Sequence, residues 1–313
     1  MIRLVVYRVL VTLPVVAISA ILVFCLLRMT PGNPAIILAG DYATPETIAA
    51  ITRELGLDRS IPEQLYIWGL QLLHGNLGKS IVSGLPVTTM IADRIGPTAS
   101  LAATTLLLSV IAGVPLGVAA AANKGKWLDR TIMGASVVGF SAPVFVLGYI
   151  LILIFSVELQ WLPVQGYTPI SEGILPFLRD IALPTLTLSF IYVALFSRIT
   201  RTAMLEILTA DFIRTAYAKG LPRIVVLTRH ALRNAAIPIV SVIGVAFALM
   251  IGGVVVTETV FNVPGLGRLI VDAVLGRDYA VIQGVILALS LAYVAVNLVI
   301  DLLYMILDPR IKY

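Results

Sequence analysis

The sequence predicts an all-α integral membrane protein with about six transmembrane helices and a small helical outer domain between helices 1 and 2. Three observations carry that prediction. Of the 313 residues, 59% are hydrophobic and 12% are charged, about half the charged share of a soluble domain. A soluble chain so poor in charge could not cover its own surface, whereas lipid solvates apolar side chains. Six apolar runs approach or exceed the ~20 residues that a helix needs to cross a bilayer. Lys and Arg gather in alternate connecting segments, as cytoplasmic loops require.

The runs cover residues 9–27, 99–122, 131–157, 181–199, 237–256 and 281–307. The first holds Pro14 and the only cysteine, Cys25, so no intrachain disulfide forms and Cys25 reads as a small packing residue. Arg28-Met29-Thr30-Pro31 lacks the small-residue pattern of a cleavage site, so the first run is kept as an anchor. The second holds Pro115 and the pair Gly113-x-x-x-Gly117. The fifth carries Gly244, Ala248 and Gly252. Small residues four apart let helix backbones approach closely, within one subunit or between two.

Orientation follows from charge. One set of segments holds fourteen Lys and Arg: Arg3, Arg8, Lys124, Lys126, Arg130, seven between Arg198 and Arg233, Arg310 and Lys312. The two short opposite loops hold Arg179, Arg268 and Arg277. Both termini are therefore expected in the cytoplasm. The net charge of +5 is placed so unevenly that it reads as topology and not as a nucleic-acid surface. The segment from Arg28 to Pro97 carries five basic and six acidic residues and reads as the outer domain, because long segments cross regardless of charge. Within it Thr44 caps a helix with Pro45 in its first turn. Ile48, Ile51, Thr52 and Leu55 give that helix one stripe, and Gly56 ends it. Ile61-Pro62-Glu63 opens a second helix through Leu73.

The stretch from Met204 to Pro238 is too polar for the membrane and too patterned for a linker. Thr209 is placed to cap a short helix with Asp211 in its first turn. Phe212, Ile213, Ala216 and Tyr217 fall on one face, and Arg214, Thr215, Ala218 and Lys219 on the other. Gly220 suits the left-handed C-terminal position. Pro222 starts a second helix carrying Arg223, Arg229 and Arg233, and the fifth span follows at Ile237-Pro238. A helix this short is marginal alone and must pack on something. One face can rest on its own subunit, leaving the small basic face for a groove on a cytoplasmic protein. A basic loop lying on lipid headgroups is the alternative.

Asp211-Phe212-Ile213-Arg214-Thr215-Ala216-Tyr217-Ala218-Lys219-Gly220-Leu221, with His230-Ala231-Leu232-Arg233-Asn234-Ala235 after it, resembles the cytoplasmic "EAA" loop of ABC-importer permeases. Its form is that of the dipeptide, oligopeptide, nickel and glutathione group. Other stretches agree in order and spacing: Thr30-Pro31-Gly32-Asn33-Pro34, Leu55-Gly56-Leu57-Asp58, Gly75-Asn76-Leu77-Gly78-Lys79-Ser80, Val263-Pro264-Gly265-Leu266-Gly267-Arg268 and Leu307-Asp308-Pro309-Arg310. The long segment after the first span is similar to that of the first, B-type permease of the pair. Arg214, Lys219 and Leu232-Arg233 depart from the broader motif in the manner of the peptide group, whereas Tyr217 and Pro222 are particular to this chain.

The resemblance implies a type I ABC importer permease fold. Residues 1–29 would be the anchor helix, 30–97 the extracytoplasmic helical segment, 98–307 the permease core with its coupling loop 206–236, and 308–313 a cytoplasmic tail. It implies docking on an ATPase subunit through Arg214, Thr215, Ala216, Ala218, Lys219 and Gly220. It implies as partners a second homologous permease in a heterodimer, two cytoplasmic ATPase subunits and an external substrate-binding protein. The solute would be a peptide or a related small molecule, crossing the bacterial or archaeal cytoplasmic membrane. ATP and Mg would bind the ATPase subunits and no cofactor this chain, which would not be an enzyme.

The remaining polar residues fit that picture. Gly78-Lys79-Ser80 lacks the first glycine of a phosphate-binding loop, since Leu73 stands there. His74 and His230 fall on opposite sides of the membrane and share no metal. An intramembrane hydrolase lacks a histidine base at membrane depth. Asp301 is the one carboxylate well inside a predicted span. It is expected at an interface or paired between subunits, because a central Asp costs about 2.5–3.5 kcal/mol. Pro264, Gly265 and Gly267 form a turn before a short outer helix, and a gate or a contact with the substrate-binding protein is the functional alternative. An ion-coupled carrier needs a relay of buried ionisable groups, and apart from Asp301 these spans hold almost none. Energy for uphill transport must then arrive from a partner, through the basic loop.

Overall fold

The computed structural model describes residues 2–29, 34–39, 44–54 and 56–307. Residues 30–33 of the Thr30–Pro34 stretch, Leu55, the 308–313 tail and the side chain of Asp301 lie outside the described residues. The helices are α1 (Ile2–Met29), α2 (Pro34–Ala39), α3 (Pro45–Glu54), α4 (Ile61–Leu73), α5 (Val87–Ala122), α6 (Trp127–Ser141), α7 (Val144–Leu151), α8 (Ile174–Ile207), α9 (Asp211–Ala218), α10 (Arg223–Val225), α11 (Arg233–Val260), α12 (Leu266–Leu275) and α13 (Tyr279–Leu307). Wider π-type turns, Ile152–Glu158 and Val226–Leu232, continue α7 and join α10 to α11. The chain divides into two compact units, residues 1–96 with 268–294 and residues 97–267 with 295–313.

Among the described residues four helices are long and apolar enough to cross a membrane, and a bent pair makes five. The apolar stretch Pro14–Met29 in α1 is shorter. The protein is thus an all-helical membrane protein with about five to six spans.

The third span is not the single helix expected over 131–157. α6 and the α7 segment meet at 104°. Ala142 precedes Pro143 and is extended, at φ −77° and ψ 128°, because the proline ring excludes the helical conformation from the residue before it. The 15 residues of α6 reach only about 22 Å, so neither half spans ~30 Å of hydrocarbon alone.

In the unit of residues 97–267 and 295–313, α8 is the central helix, with α6, α7 and α11 packed on it. Gly113 and Gly117 of α5 face α8. A β-carbon at 117 would lie 2.5 Å from Thr200 Cβ and 2.6 Å from the Ser197 carbonyl oxygen, so this small-residue pair serves packing within the chain. Hydroxyl pairs tie α8 to its neighbours, Thr104 of α5 to Thr185 at 2.8 Å and Ser136 of α6 to Ser197 at 2.9 Å.

In the unit of residues 1–96 and 268–294, α3 and α4 match their sequence signals. The Thr47 amide donates to Thr44 Oγ1 at 3.3 Å. Gly56 takes φ +64°, and the Leu57 amide reaches back to the Thr52 carbonyl at 2.9 Å, closing α3. α4 begins at Ile61 and ends at Leu73 as expected. Trp68 of α4 packs on Phe24 of α1, with ring centroids 5.4 Å apart. The Gly78-Lys79-Ser80 turn is anchored by Ser80 Oγ, which donates to Asp278 Oδ2 at 2.5 Å. Asp278 in turn accepts the Val281 amide in the first turn of α13, at 3.3 Å.

Candidate functional site

The loop between α8 and α10 forms a single short helix, α9, seated on the end of its own unit. Thr209 does not cap it, contrary to the sequence reading. Its hydroxyl donates to the Glu206 carbonyl at 2.7 Å and so closes the end of α8. Extended Ala210 occupies the cap position with no side-chain bond. Asp211 is the first residue of α9, where the helix dipole favours an anion. It pairs with Arg214 at 3.3 Å, both side chains largely exposed, so the pair adds little stability.

Ile213 and Ala216 are 1% and 5% exposed. They pack on Met204 of α8, Ala121 of α5, and Val226, Leu227, Ala231 and Ala235 along the segment into α11. Phe212 and Tyr217 do not join them. Each is 44% exposed, because at this spacing they flank the buried stripe and overhang its edges. The outward surface is therefore aromatic as well as basic: Phe212, Arg214, Thr215, Tyr217, Ala218 and Lys219 all face out. Ala216, by contrast, is turned into the chain's own core.

Gly220 ends the helix at φ +75° with open space around it. The Leu221 amide returns to the Ala216 carbonyl at 3.3 Å. What requires glycine here is backbone conformation, not room. Pro222 precedes α10 as the sequence suggests. The second helix and the fifth span, read separately, are one continuous helix of 38 residues from Arg223 to Val260.

Beside α9 lies the corner joining α5 to α6. Asp129, 3% exposed, receives both prongs of Arg201, Nε at 2.6 Å and Nη2 at 2.8 Å. It also accepts the Gly125 amide at 2.9 Å. Arg223 donates to the Ala122 carbonyl on the same corner. The sequence presents Arg201 as a topology marker and Arg223 as one of the basic residues of the second loop helix, and it does not reveal the Asp129–Arg201 pair. Its partners stand 72 positions apart, and the one available signal was an aspartate among the basic residues that flank the third span.

At the other end of α11, the Val263–Gly267 turn folds over Glu258. This carboxylate is fully buried and lies two residues beyond the predicted fifth span. Thr98 Oγ1 donates to Glu258 Oε1 at 2.6 Å and accepts the Leu266 amide at 2.7 Å. A β-carbon at Gly265 would collide with that carboxylate, and one at Gly267 would lie 2.6 Å from Val255 Cα. Pro264 is exposed at the crest of the turn. Gly265 and Gly267 thus make room for a buried acid that the sequence reading overlooked.

His74 Nδ1 lies 2.7 Å from the Leu70 carbonyl, and His230 is half-buried on the segment into α11. Among the described residues no three His, Cys, Asp or Glu side chains gather as a metal site.

Two family models match the chain. "Binding-protein-dependent transport system inner membrane component" covers residues 113–313, and the N-terminal portion of the same membrane component covers residues 1–102. The chain is 50% identical to the probable peptide ABC transporter permease protein y4tP of Sinorhizobium fredii over 302 residues, 96% of both chains. It is 42% identical to a Brucella abortus protein provisionally named a peptide transport system permease, over the full length of both. It is 41% identical to the glutathione transport system permease protein GsiC of Salmonella choleraesuis, again over the full length of both.

Proposed function

This chain belongs to the binding-protein-dependent transport system inner membrane component family, and from that premise we propose that it is half of a peptide or glutathione pathway driven through α9. It is the non-catalytic, multi-pass membrane component of an ABC importer, and such components work with partner subunits. The solute class is taken from relatives named for peptide and for glutathione transport.

One observation carries the coupling reading. α9 buries Ile213 and Ala216 in its own chain and turns a continuous aromatic and basic surface outward. A helix presented in this way fits a groove on a partner. Phe212 and Tyr217 supply apolar anchors at low entropic cost, while Arg214 and Lys219 supply charge. The occupant is a cytoplasmic ATPase subunit holding ATP and Mg, and two such subunits act per transporter. As they change separation, α9 moves with one of them and rocks the spans, by rigid-body switching. A second, homologous permease completes the pathway, an external binding protein delivers the solute, and both termini face the cytoplasm of a bacterium. The 30–97 segment and the turn at Pro264, Gly265 and Gly267 then face outward, where the turn meets the binding protein or gates the pathway. Asp301 is assigned to the subunit interface.

Replacing Phe212 and Tyr217 together by alanine tests this. The ATPase subunit should then fail to co-purify while the permease pair stays intact. Full retention of the ATPase overturns the reading.

A further inference from the structure

We propose that the α5–α6 corner transmits motion from the coupling loop to the rest of its unit, and that Asp129, Arg201 and Arg223 are the positioning residues that make it do so. The proposal rests on the reading of α9 as the ATPase-coupling helix. Neither the corner nor these three residues need touch solute, nucleotide or ATPase.

The coupling loop is attached to its unit at two points. It leaves the unit at the end of α8 and re-enters at α10. Arg201 lies in the last two turns of α8, before the loop, and Arg223 is the first residue of α10, after it. Each reaches sideways to the same short corner. Arg201 grips Asp129 with two prongs, and Arg223 binds the Ala122 carbonyl at the C-terminus of α5. Carbonyls there have no partner within the helix and carry its negative dipole end, so a guanidinium suits them. Asp129 sits in the first turn of α6, where an anion suits the dipole. It also holds the Gly125 amide, with Gly125 at φ +77°. Both ends of the loop are thus stapled to one corner.

The staples differ in exposure. Asp129 is buried, and removing one partner of a buried pair leaves an uncompensated charge. That joint therefore stays closed during ordinary fluctuation. Arg223 is exposed, so its contact can be cut without disturbing a core. Between the staples, Ile213 and Ala216 share one apolar cluster with Ala121, Ala203 and Met204. A displacement of α9 thus presses on the end of α8 and on the corner together. α5 and α6 follow as one body with α8. With the staples gone, α9 can tilt on α8 and α10 while the corner stays behind.

The test uses the assembled transporter in nanodiscs, compared nucleotide-free and trapped with ADP and vanadate. Amide hydrogen exchange is followed separately in α9 and in residues 123–133. In the parent, trapping should change exchange in both segments. Near the corner the change should be about tenfold. In Asp129→Asn and in Arg223→Gln, the α9 change should persist while the corner change falls to about twofold or less. If residues 123–133 respond in Arg223→Gln and in Asp129→Asn as they do in the parent, the proposal is overturned while the docking of α9 stands. A silent α9 in the parent overturns the docking reading, and the proposal with it. Should Asp129→Asn fail to assemble, Arg223→Gln decides alone, because its side chain is exposed.

Discussion

The Thr98 hydroxyl donates to the Glu258 carboxylate at 2.6 Å across 160 positions of sequence, and the same oxygen accepts the Leu266 amide at 2.7 Å. One side chain so fastens α5, the end of α11 and the start of α12. Thr98→Val keeps the shape and removes both bonds, so the Leu266 amide loses its acceptor and the buried Glu258 carboxylate loses one hydrogen bond. The expected loss is about 1–3 kcal/mol, read as a lower Tm of the purified permease. Thr98→Ser should retain most of the stability.

Gly265→Ala should destabilise the Val263–Gly267 turn, because the new methyl group falls on the Glu258 carboxylate. Glu258→Ala alone should also destabilise, by emptying the space under the turn. The two changes should not add. The double variant is expected to recover about 0.5–3 kcal/mol relative to the sum of the singles. Chemical or thermal unfolding of the four proteins measures that term.

Two glycines in long helices separate packing from propensity. At Gly117 a methyl group meets Thr200 and the Ser197 carbonyl, and backbone cannot yield. Gly117→Ala is expected to cost about 1–3 kcal/mol. Gly252 has nothing within 4 Å, so Gly252→Ala should be neutral or stabilising by up to about 1 kcal/mol. Paired Tm measurements decide both.

Much of this architecture was legible in the sequence, for identifiable reasons. The helix around 211–218 could be read because its buried stripe, its first-turn aspartate and its terminal glycine are all local signals. The same holds for α3 and α4, set by Thr44, Pro45, Gly56 and Ile61. The break in the third span was missed because hydropathy runs unbroken across Ala142-Pro143, although the proline alone was a usable sign. Thr209 closes α8 where the sequence predicts a cap for α9, because a hydroxyl can serve the end of one helix as easily as the start of the next. Apolarity predicts an inward place for Phe212 and Tyr217, yet the buried stripe holds only Ile213 and Ala216. Asp129–Arg201 and Thr98–Glu258 were invisible for a different reason. Each joins residues far apart in the chain, and nothing in a single sequence states which distant charges meet.

Gly220→Ala should loosen the end of α9 without any clash. The backbone at φ +75° costs a side-chain-bearing residue about 1–2 kcal/mol, and Gly220→Asn should cost less. Faster amide exchange at residues 217–221 in the alanine variant, with unchanged exchange in α8, is the expected result.

The outward face of α9 as the seat of the ATPase can be probed by single cysteines, since Cys25 is the only native one. In a Cys25→Ala background, Ala218→Cys is tested for thiol cross-linking to the ATPase subunit in the assembled transporter, with Ala216→Cys as the inward control. Strong cross-linking from position 218 and little from 216 is the predicted result. Labelling of position 218 by a membrane-impermeant reagent added outside intact cells, or no cross-link to the ATPase from it, would contradict the account.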